Sequence, residues 1–143
     1  MNLASIVLPL AFALPLAAQT NFCSSTLSAP GCGASLAIDF TPVGNAGNQT
    51  LTLTATGLQP NAHGLMVWGT MPINLPIGNG CSLLTDFLWG HTINVDGSGA
   101  WSWSRSWPAS VTGQYYIQIG SFDLDASHNL VFAATECKLA FCQ

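Results

Sequence analysis

One alternating aromatic segment, Ala100–Trp107, carries the side chains best suited to bind a ligand. Its odd-numbered positions are Trp101, Trp103, Arg105 and Trp107, and small residues occupy the even-numbered positions. Side chains on a β-strand point to opposite faces in turn, so this alternation predicts a strand with one aromatic face. We call these four residues the tryptophan face. Indole rings can stack on the C–H groups of sugars while an arginine donates hydrogen bonds to hydroxyl groups, so the tryptophan face predicts a carbohydrate-binding surface.

The alternative interpretation of the tryptophan face is the wall of a hydrophobic core. Core-facing strands alternate in the same way, and a buried tryptophan contributes a large apolar area. Arg105 favours partial exposure, because an unpaired cation in an apolar interior is very costly. Both interpretations stay open at the level of the sequence.

Nucleophilic catalysis has little support. His91 precedes the serines of the Ala100–Trp107 segment by one predicted strand. However, the chain has no Gly-x-Ser-x-Gly motif, and Gly97-Ser98-Gly99 is better explained as a turn. A small secreted hydrolase is therefore an unlikely alternative, and we expect no enzymatic activity and no catalytic residue.

Paired acidic residues offer a second kind of chemistry near the end of the chain. Asp123 and Asp125 would lie on the same side of an extended segment, where Asn129 and loop carbonyl groups could join them around calcium. Acidic turns are common without any ion, and the spacing of an EF-hand is absent. The sequence therefore predicts no metal and no cofactor, and it leaves calcium at Asp123 and Asp125 undecided.

Charge excludes two classes of partner. Only 6% of the 143 residues are charged, the net charge is -4, and the two basic residues are Arg105 and Lys138. Nothing in this composition could neutralise a nucleic-acid backbone or bind an anionic membrane surface. Weak repulsion between copies permits self-association, so a partner could be a cell-surface polysaccharide or another copy of the chain.

The first residues predict export. Met1–Ala18 contains an apolar run that ends in small residues before Gln19, which is typical of a signal peptide, although no Lys or Arg precedes the run. The run is shorter than the about 20 residues that span a bilayer, and no second run follows. We therefore expect a single mature domain over residues 19–143, secreted or held at the cell surface and not inserted in a membrane.

Five cysteines predict a disulfide framework in an exported chain. The preferred pairs are Cys32–Cys81 and, near the chain ends, either Cys137–Cys142 or Cys23–Cys142. An odd number leaves one thiol free or paired with another chain. A zinc site is disfavoured, because the chain has no Cys-x-x-Cys motif and its histidines are scattered.

Several segments alternate in the manner of strands. Gln49–Thr56 places leucines on one face and threonines on the other, and Leu65–Gly69 is a continuous apolar run typical of a strand buried on both faces. Asp96–Gly99 is a hairpin turn. Gly113–Phe122 alternates again, and Gly120 within it predicts a bulge.

The remaining pattern defines a fold class. Prolines and glycines between Pro72 and Cys81 predict an irregular loop. No segment after the leader shows helical periodicity. About seven to nine short strands separated by turns predict an all-β protein, an antiparallel β-sandwich of immunoglobulin-like or jelly-roll-like type.

Four successive segments, GLQPNAHGLMVWG, INLPIGNGCSLLTD, VDGSGAWSWS and WPASVTGQYYIQIGSFDLD, resemble an uncharacterised β-rich domain of secreted and surface proteins in planctomycete bacteria. The matching positions are Gly31-Cys32-Gly33, Gly57, Pro60, Pro76–Cys81, Asp96–Gly99, Pro108, Gly113, Gln118 and Asp123. The resemblance implies a sandwich with a Cys32–Cys81 bond and assigns no activity. The tryptophan density and the cysteines Cys137 and Cys142 depart from that pattern.

The sequence therefore predicts a secreted binding, adhesion or structural module without enzymatic activity. The alternative is a carbohydrate-binding module that uses an exposed tryptophan face.

Overall fold

A computed structural model describes residues 23–44 and 47–143. These residues form eleven strands and no helix, and all strands pair in antiparallel fashion. The prediction of an antiparallel all-β protein is confirmed, but the estimate of about seven to nine strands is too low. The predicted signal peptide, Met1–Ala18, lies outside the described residues. Within the described ranges, no helix is long and apolar enough to cross a membrane.

The strands follow one another along the chain with short connections. They are β1 (Cys23–Ala29), β2 (Ser35–Val43), β3 (Asn48–Thr56), β4 (His63–Gly69), β5 (Pro72–Gly78), β6 (Cys81–Thr85), β7 (Trp89–Asn94), β8 (Trp101–Trp107), β9 (Gly113–Leu124), β10 (Leu130–Ala134) and β11 (Cys137–Cys142).

Three sheets contain these strands. The large sheet has the order β1-β11-β9-β4-β7, and β10 joins it by pairing with the second half of β9. The small sheet has the order β2-β3-β8, and the third sheet is the β5–β6 hairpin. Strands β7 and β8 are therefore edge strands, one in the large sheet and one in the small sheet.

The large and small sheets contribute side chains to one hydrophobic core. Strand β3 shows why: Leu51, Leu53 and Ala55 are fully buried, and the threonines between them face outward. Across the sheet, Thr52 Oγ1 lies 2.9 Å from Ser104 Oγ on the outer face. The core residues are Leu36, Ile38, Leu51, Leu53, Ala55, Leu58, Met66, Trp68, Ile93, Val95, Ile117, Ile119 and Ala140.

The β5–β6 hairpin covers the other face of the large sheet. The Gln118 side chain joins the two, because its Nε2 donates to the carbonyl oxygens of Ser82 (3.0 Å) and Thr135 (3.1 Å) and its Oε1 accepts from the Leu84 amide (2.9 Å). The predicted bulge at Gly120 is wrong, since β9 pairs there in continuous register with both neighbouring strands.

Two disulfides reinforce the fold, one within the large sheet and one to the β5–β6 hairpin. Cys32–Cys81 attaches the hairpin, and Cys23–Cys142 joins edge strand β1 to β11. Two disulfides are typical of an oxidising environment outside the cytoplasm.

The alternative pairing of Cys137 with Cys142 is wrong. Cys137 is a free thiol with no exposed surface, while Cys142 lies directly opposite Cys23 in the β1–β11 ladder. Burial raises the pKa of the Cys137 thiol to about 11, partly offset by a hydrogen bond from the Ile117 backbone. The thiol is therefore protonated at neutral pH and is a poor nucleophile.

Candidate functional site

The tryptophan face lies on the core side of the small sheet. In the β3–β8 ladder, Trp103 pairs with Leu53, and Arg105 pairs with Leu51, both of which are core residues. Because β8 is an edge strand, its inner face is only partly covered. Its three tryptophans are half-buried and pack against the core, whereas Arg105 is exposed. The strand therefore forms part of the core wall, as one interpretation expects, and it also keeps part of its aromatic face and Arg105 accessible, as the other expects.

Trp68 on β4 supplies the floor of the site. Its ring stacks on that of Trp107, with centroids 5.8 Å apart and an interplanar angle of 16°. Tyr115 on β9 meets both rings edge-on, at 6.3 Å from Trp68 and 5.9 Å from Trp107. Stacked and edge-to-face pairs of this kind contribute about 0.5–1.5 kcal/mol each beyond their buried area, so the rings form a rigid floor.

Trp89 on β7 lies on the solvent-exposed side of the site. It lies directly opposite Trp68 in the β4–β7 ladder and meets that ring edge-on at 6.2 Å. Its other contact is a stack on His91, with centroids 6.0 Å apart. With 45% of its surface exposed, Trp89 presents an aromatic side chain to solvent at the edge of the large sheet.

The rings of Trp68, Trp89 and Trp107 line an open cleft of about 400 Å³ between the edges of the large and small sheets. We call it the aromatic cleft. Its lining residues are Trp68, Trp89, Trp103, Arg105, Ser106, Trp107, Pro108 and Val111. Three members of the predicted tryptophan face are therefore brought together here, and Trp101 does not line the cleft.

Two polar groups in the floor lack partners. The indole Nε1 atoms of Trp68 and Trp107 are buried, and neither has a hydrogen-bond acceptor in the described part of the chain. A buried donor without an acceptor costs roughly 1–3 kcal/mol, so most proteins avoid it. Both N–H groups are enclosed by the protein, so they are a local cost to stability and not donors on the surface of the cleft.

Comparison of the chain with protein-family models, curated proteins and solved structures finds no match. The resemblance to a planctomycete domain therefore stays a prediction.

The sequence did not reveal two of the aromatic residues of the cleft, Trp68 and Trp89. Trp68 stands in the apolar run Leu65–Gly69, which correctly predicts a strand but not which side chain closes a site. Trp89 follows a short apolar segment without alternation. Only the register of β4 against β7 places the two rings opposite each other, and register between distant strands has no local signal.

The acidic pair at the end of β9 has a structural role. Asp125 accepts hydrogen bonds from the backbone amides of Asn129 (2.9 Å) and Ser127 (2.8 Å), which close the turn before β10. The Asn129 bonds are the largest cause of a lowered pKa at Asp125. Asp123 accepts from the Leu124 amide at 2.7 Å. Among the described residues, no three or more His, Cys, Asp or Glu side chains are grouped as metal ligands.

Proposed function

We propose that this protein is an exported β-sandwich module that binds carbohydrate in the aromatic cleft and catalyses no reaction. One observation carries the proposal: three indoles from three strands, Trp68, Trp89 and Trp107, surround one open cleft beside an exposed arginine. A polysaccharide of a cell surface is the proposed partner, so that binding would also be adhesion.

The chemistry of the aromatic cleft supports a sugar as ligand. Its walls offer ring faces for C–H groups, and Arg105 offers several N–H donors for hydroxyl or carboxylate oxygens. Sugars combine apolar C–H faces with many hydroxyl groups, which is the combination that this lining matches.

Two other parts of the proposal rest on the fold. A sandwich arrangement is supported by the single core shared by the large and small sheets. Export is supported by the two disulfides, since such bonds persist in oxidising compartments.

Replacing Trp89 with alanine should weaken carbohydrate binding by about 30-fold, which corresponds to about 2 kcal/mol for truncation of a tryptophan hot spot. Soluble glucans, xylans, mannans and chitin oligosaccharides would be screened by affinity electrophoresis for those that slow the migration of the protein. A sugar that does so would then be titrated by calorimetry. The matched control is Leu88→Ala, because Leu88 is 61% exposed, adjacent in sequence and outside the cleft lining. The proposal would be contradicted if no sugar slowed the protein, or if Trp89→Ala and Leu88→Ala weakened sugar binding equally.

A second candidate function, association with other copies, is favoured by strand β5. All seven of its residues are exposed, and 55% of the surface of Leu75 is in contact with solvent. We expect concentration-dependent dimers in sedimentation equilibrium and their loss in Leu75→Ser. Leu27→Ser is the matched control, because Leu27 is 65% exposed on strand β1, outside the hairpin. A wild-type protein that stays monomeric at millimolar concentration excludes this candidate.

A further inference from the structure

A second cavity lies between the β5–β6 hairpin and the large sheet. It has a volume of about 230 Å³ and shares no residue with the aromatic cleft. We call it the hairpin cavity. Its lining residues are Leu65, Val67, Ile77, Ser82, Leu83, Gln118, Gly120, Ser121, Phe122, Phe132, Ala133 and Ala134.

One wall of the hairpin cavity has a glycine where a strand would normally place a side chain. Gly120 is flanked on the same face of β9 by Gln118 and Phe122, which both line the cavity. A Cβ atom at Gly120 would meet the Ala133 carbonyl oxygen at 3.6 Å and the Ala134 Cβ at 3.8 Å, which are ordinary contacts. The backbone therefore tolerates a side chain here, and the sequence leaves the space empty.

The hairpin is held over this space by the Cys32–Cys81 bond. That covalent link joins the first residue of β6 to the segment that follows β1. Cys32 also bonds Ala134 at the end of β10, with its amide 2.8 Å from the Ala134 carbonyl oxygen. The roof and the floor of the cavity are thus tied to each other, which opposes collapse of the space between them.

Two polar side chains in the wall are already engaged by the protein. The Gln118 side chain makes three hydrogen bonds to backbone groups, one of them to the Ser82 carbonyl oxygen. Ser121 Oγ accepts from the Gln59 amide at 2.9 Å. No ionisable residue lines the cavity. A ligand would therefore meet apolar surface and no charge.

We propose that the hairpin cavity binds a small uncharged apolar molecule, a hydrocarbon ring or a short alkyl chain. An apolar cavity of about 150 Å³ accepts benzene, so the hairpin cavity, at about 230 Å³, has room for a somewhat larger hydrocarbon. Access is provided at the rim, where Ile77 and Phe122 line the cavity and keep 38% and 45% of their surfaces exposed.

The test is a titration of the isotopically labelled wild-type protein with cyclohexane, followed by amide chemical shifts. We expect saturable shifts at Val67, Gly120 and Ala133 and none at the tryptophans of the aromatic cleft. Cyclohexanecarboxylate has the same ring with a charge, and it should cause no shifts at these amides. Absence of saturable shifts, shifts confined to the aromatic cleft, or equal shifts with the carboxylate would overturn the proposal.

A filling variant adds an independent measurement. Gly120→Leu should occupy the space and abolish the cyclohexane response, while Gly97→Leu places the same side chain on an exposed turn outside the cavity and should leave the response intact. A Gly120→Leu protein that folds and still binds cyclohexane at the same amides would overturn the proposal. If this variant fails to fold, the wild-type titration decides alone.

Discussion

Replacing Cys23 and Cys142 together with serine should lower the free energy of unfolding by about 4 kcal/mol, among the largest effects of any change in this chain. The two cysteines are 119 residues apart, so their bond closes a very long loop in the unfolded chain and removes much of its entropy. In the native sheet, β1 pairs with β11 alone, so loss of the bond also frees an edge strand to fray. Denaturant unfolding monitored by tryptophan fluorescence measures the change.

The matched control is the pair Cys32→Ser and Cys81→Ser. These residues are 49 apart, and the chain-entropy model gives a cost about 0.8 kcal/mol smaller than for the longer loop. Cys137→Ala in every protein compared removes disulfide exchange after unfolding, when the thiol is no longer buried. A larger loss for the Cys32–Cys81 pair would contradict loop length as the main cause and would point to anchoring of the hairpin.

The small sheet is the part of the fold that the sequence predicts best. In β3 and β8, leucine or tryptophan alternates with threonine or serine, and the period of two assigns each side chain to a face. Partial burial of the tryptophan face was open in the sequence because it depends on the position of β8 at a sheet edge. An edge position follows from the topology of the whole chain and not from any local pattern.

Strand β5 of the β5–β6 hairpin is the part that the sequence missed, whereas β6 overlaps a strand predicted over Ser82–Leu88. Pro72 and Pro76 have no backbone N–H to donate, so a proline-rich segment argues against a central strand and favours a loop. In the structure this segment is nevertheless a strand of a two-stranded hairpin, and its register shifts between Pro72 and Leu75 and again between Pro76 and Gly78. Irregular pairing of this kind tolerates proline, and it raises the strand count above the estimate.

Cysteine pairing was only partly predictable, because it depends on which strands lie next to each other. The sequence left both Cys23–Cys142 and Cys137–Cys142 open as pairs near the chain ends. Within one strand, however, the β11 ladder places Cys142 opposite Cys23 and leaves Cys137 at the other end of β11, opposite Ala29. Cross-strand neighbours, and not sequence neighbours, are close enough to bond.

Replacing Trp68 with alanine should cost about 4 kcal/mol of stability, the usual size for loss of a buried large aromatic side chain. Trp68 is 6% exposed and contacts the rings of Trp89, Trp107 and Tyr115, so its removal leaves a void beneath three other aromatic side chains. Trp89→Ala is the matched control. Because Trp89 is 45% exposed, we expect it to cost about 1 kcal/mol or less. If denaturant unfolding gave equal losses of unfolding free energy for the two variants, Trp68 could not be the buried floor and Trp89 the exposed side of the aromatic cleft.

Trp68→Phe separates the packing of the floor from its unpartnered N–H group. Phenylalanine keeps a ring against Trp107 and removes the buried Nε1 donor, so we expect a cost well below that of alanine. The stability and binding measurements then distinguish two kinds of cleft residue. Trp89→Ala should lose ligand with the fold intact, whereas Trp68→Ala should lose ligand because the floor itself is lost. If Trp68→Phe binds sugar as tightly as the wild type, the Trp68 donor takes no part in recognition, and the ring faces with Arg105 account for binding.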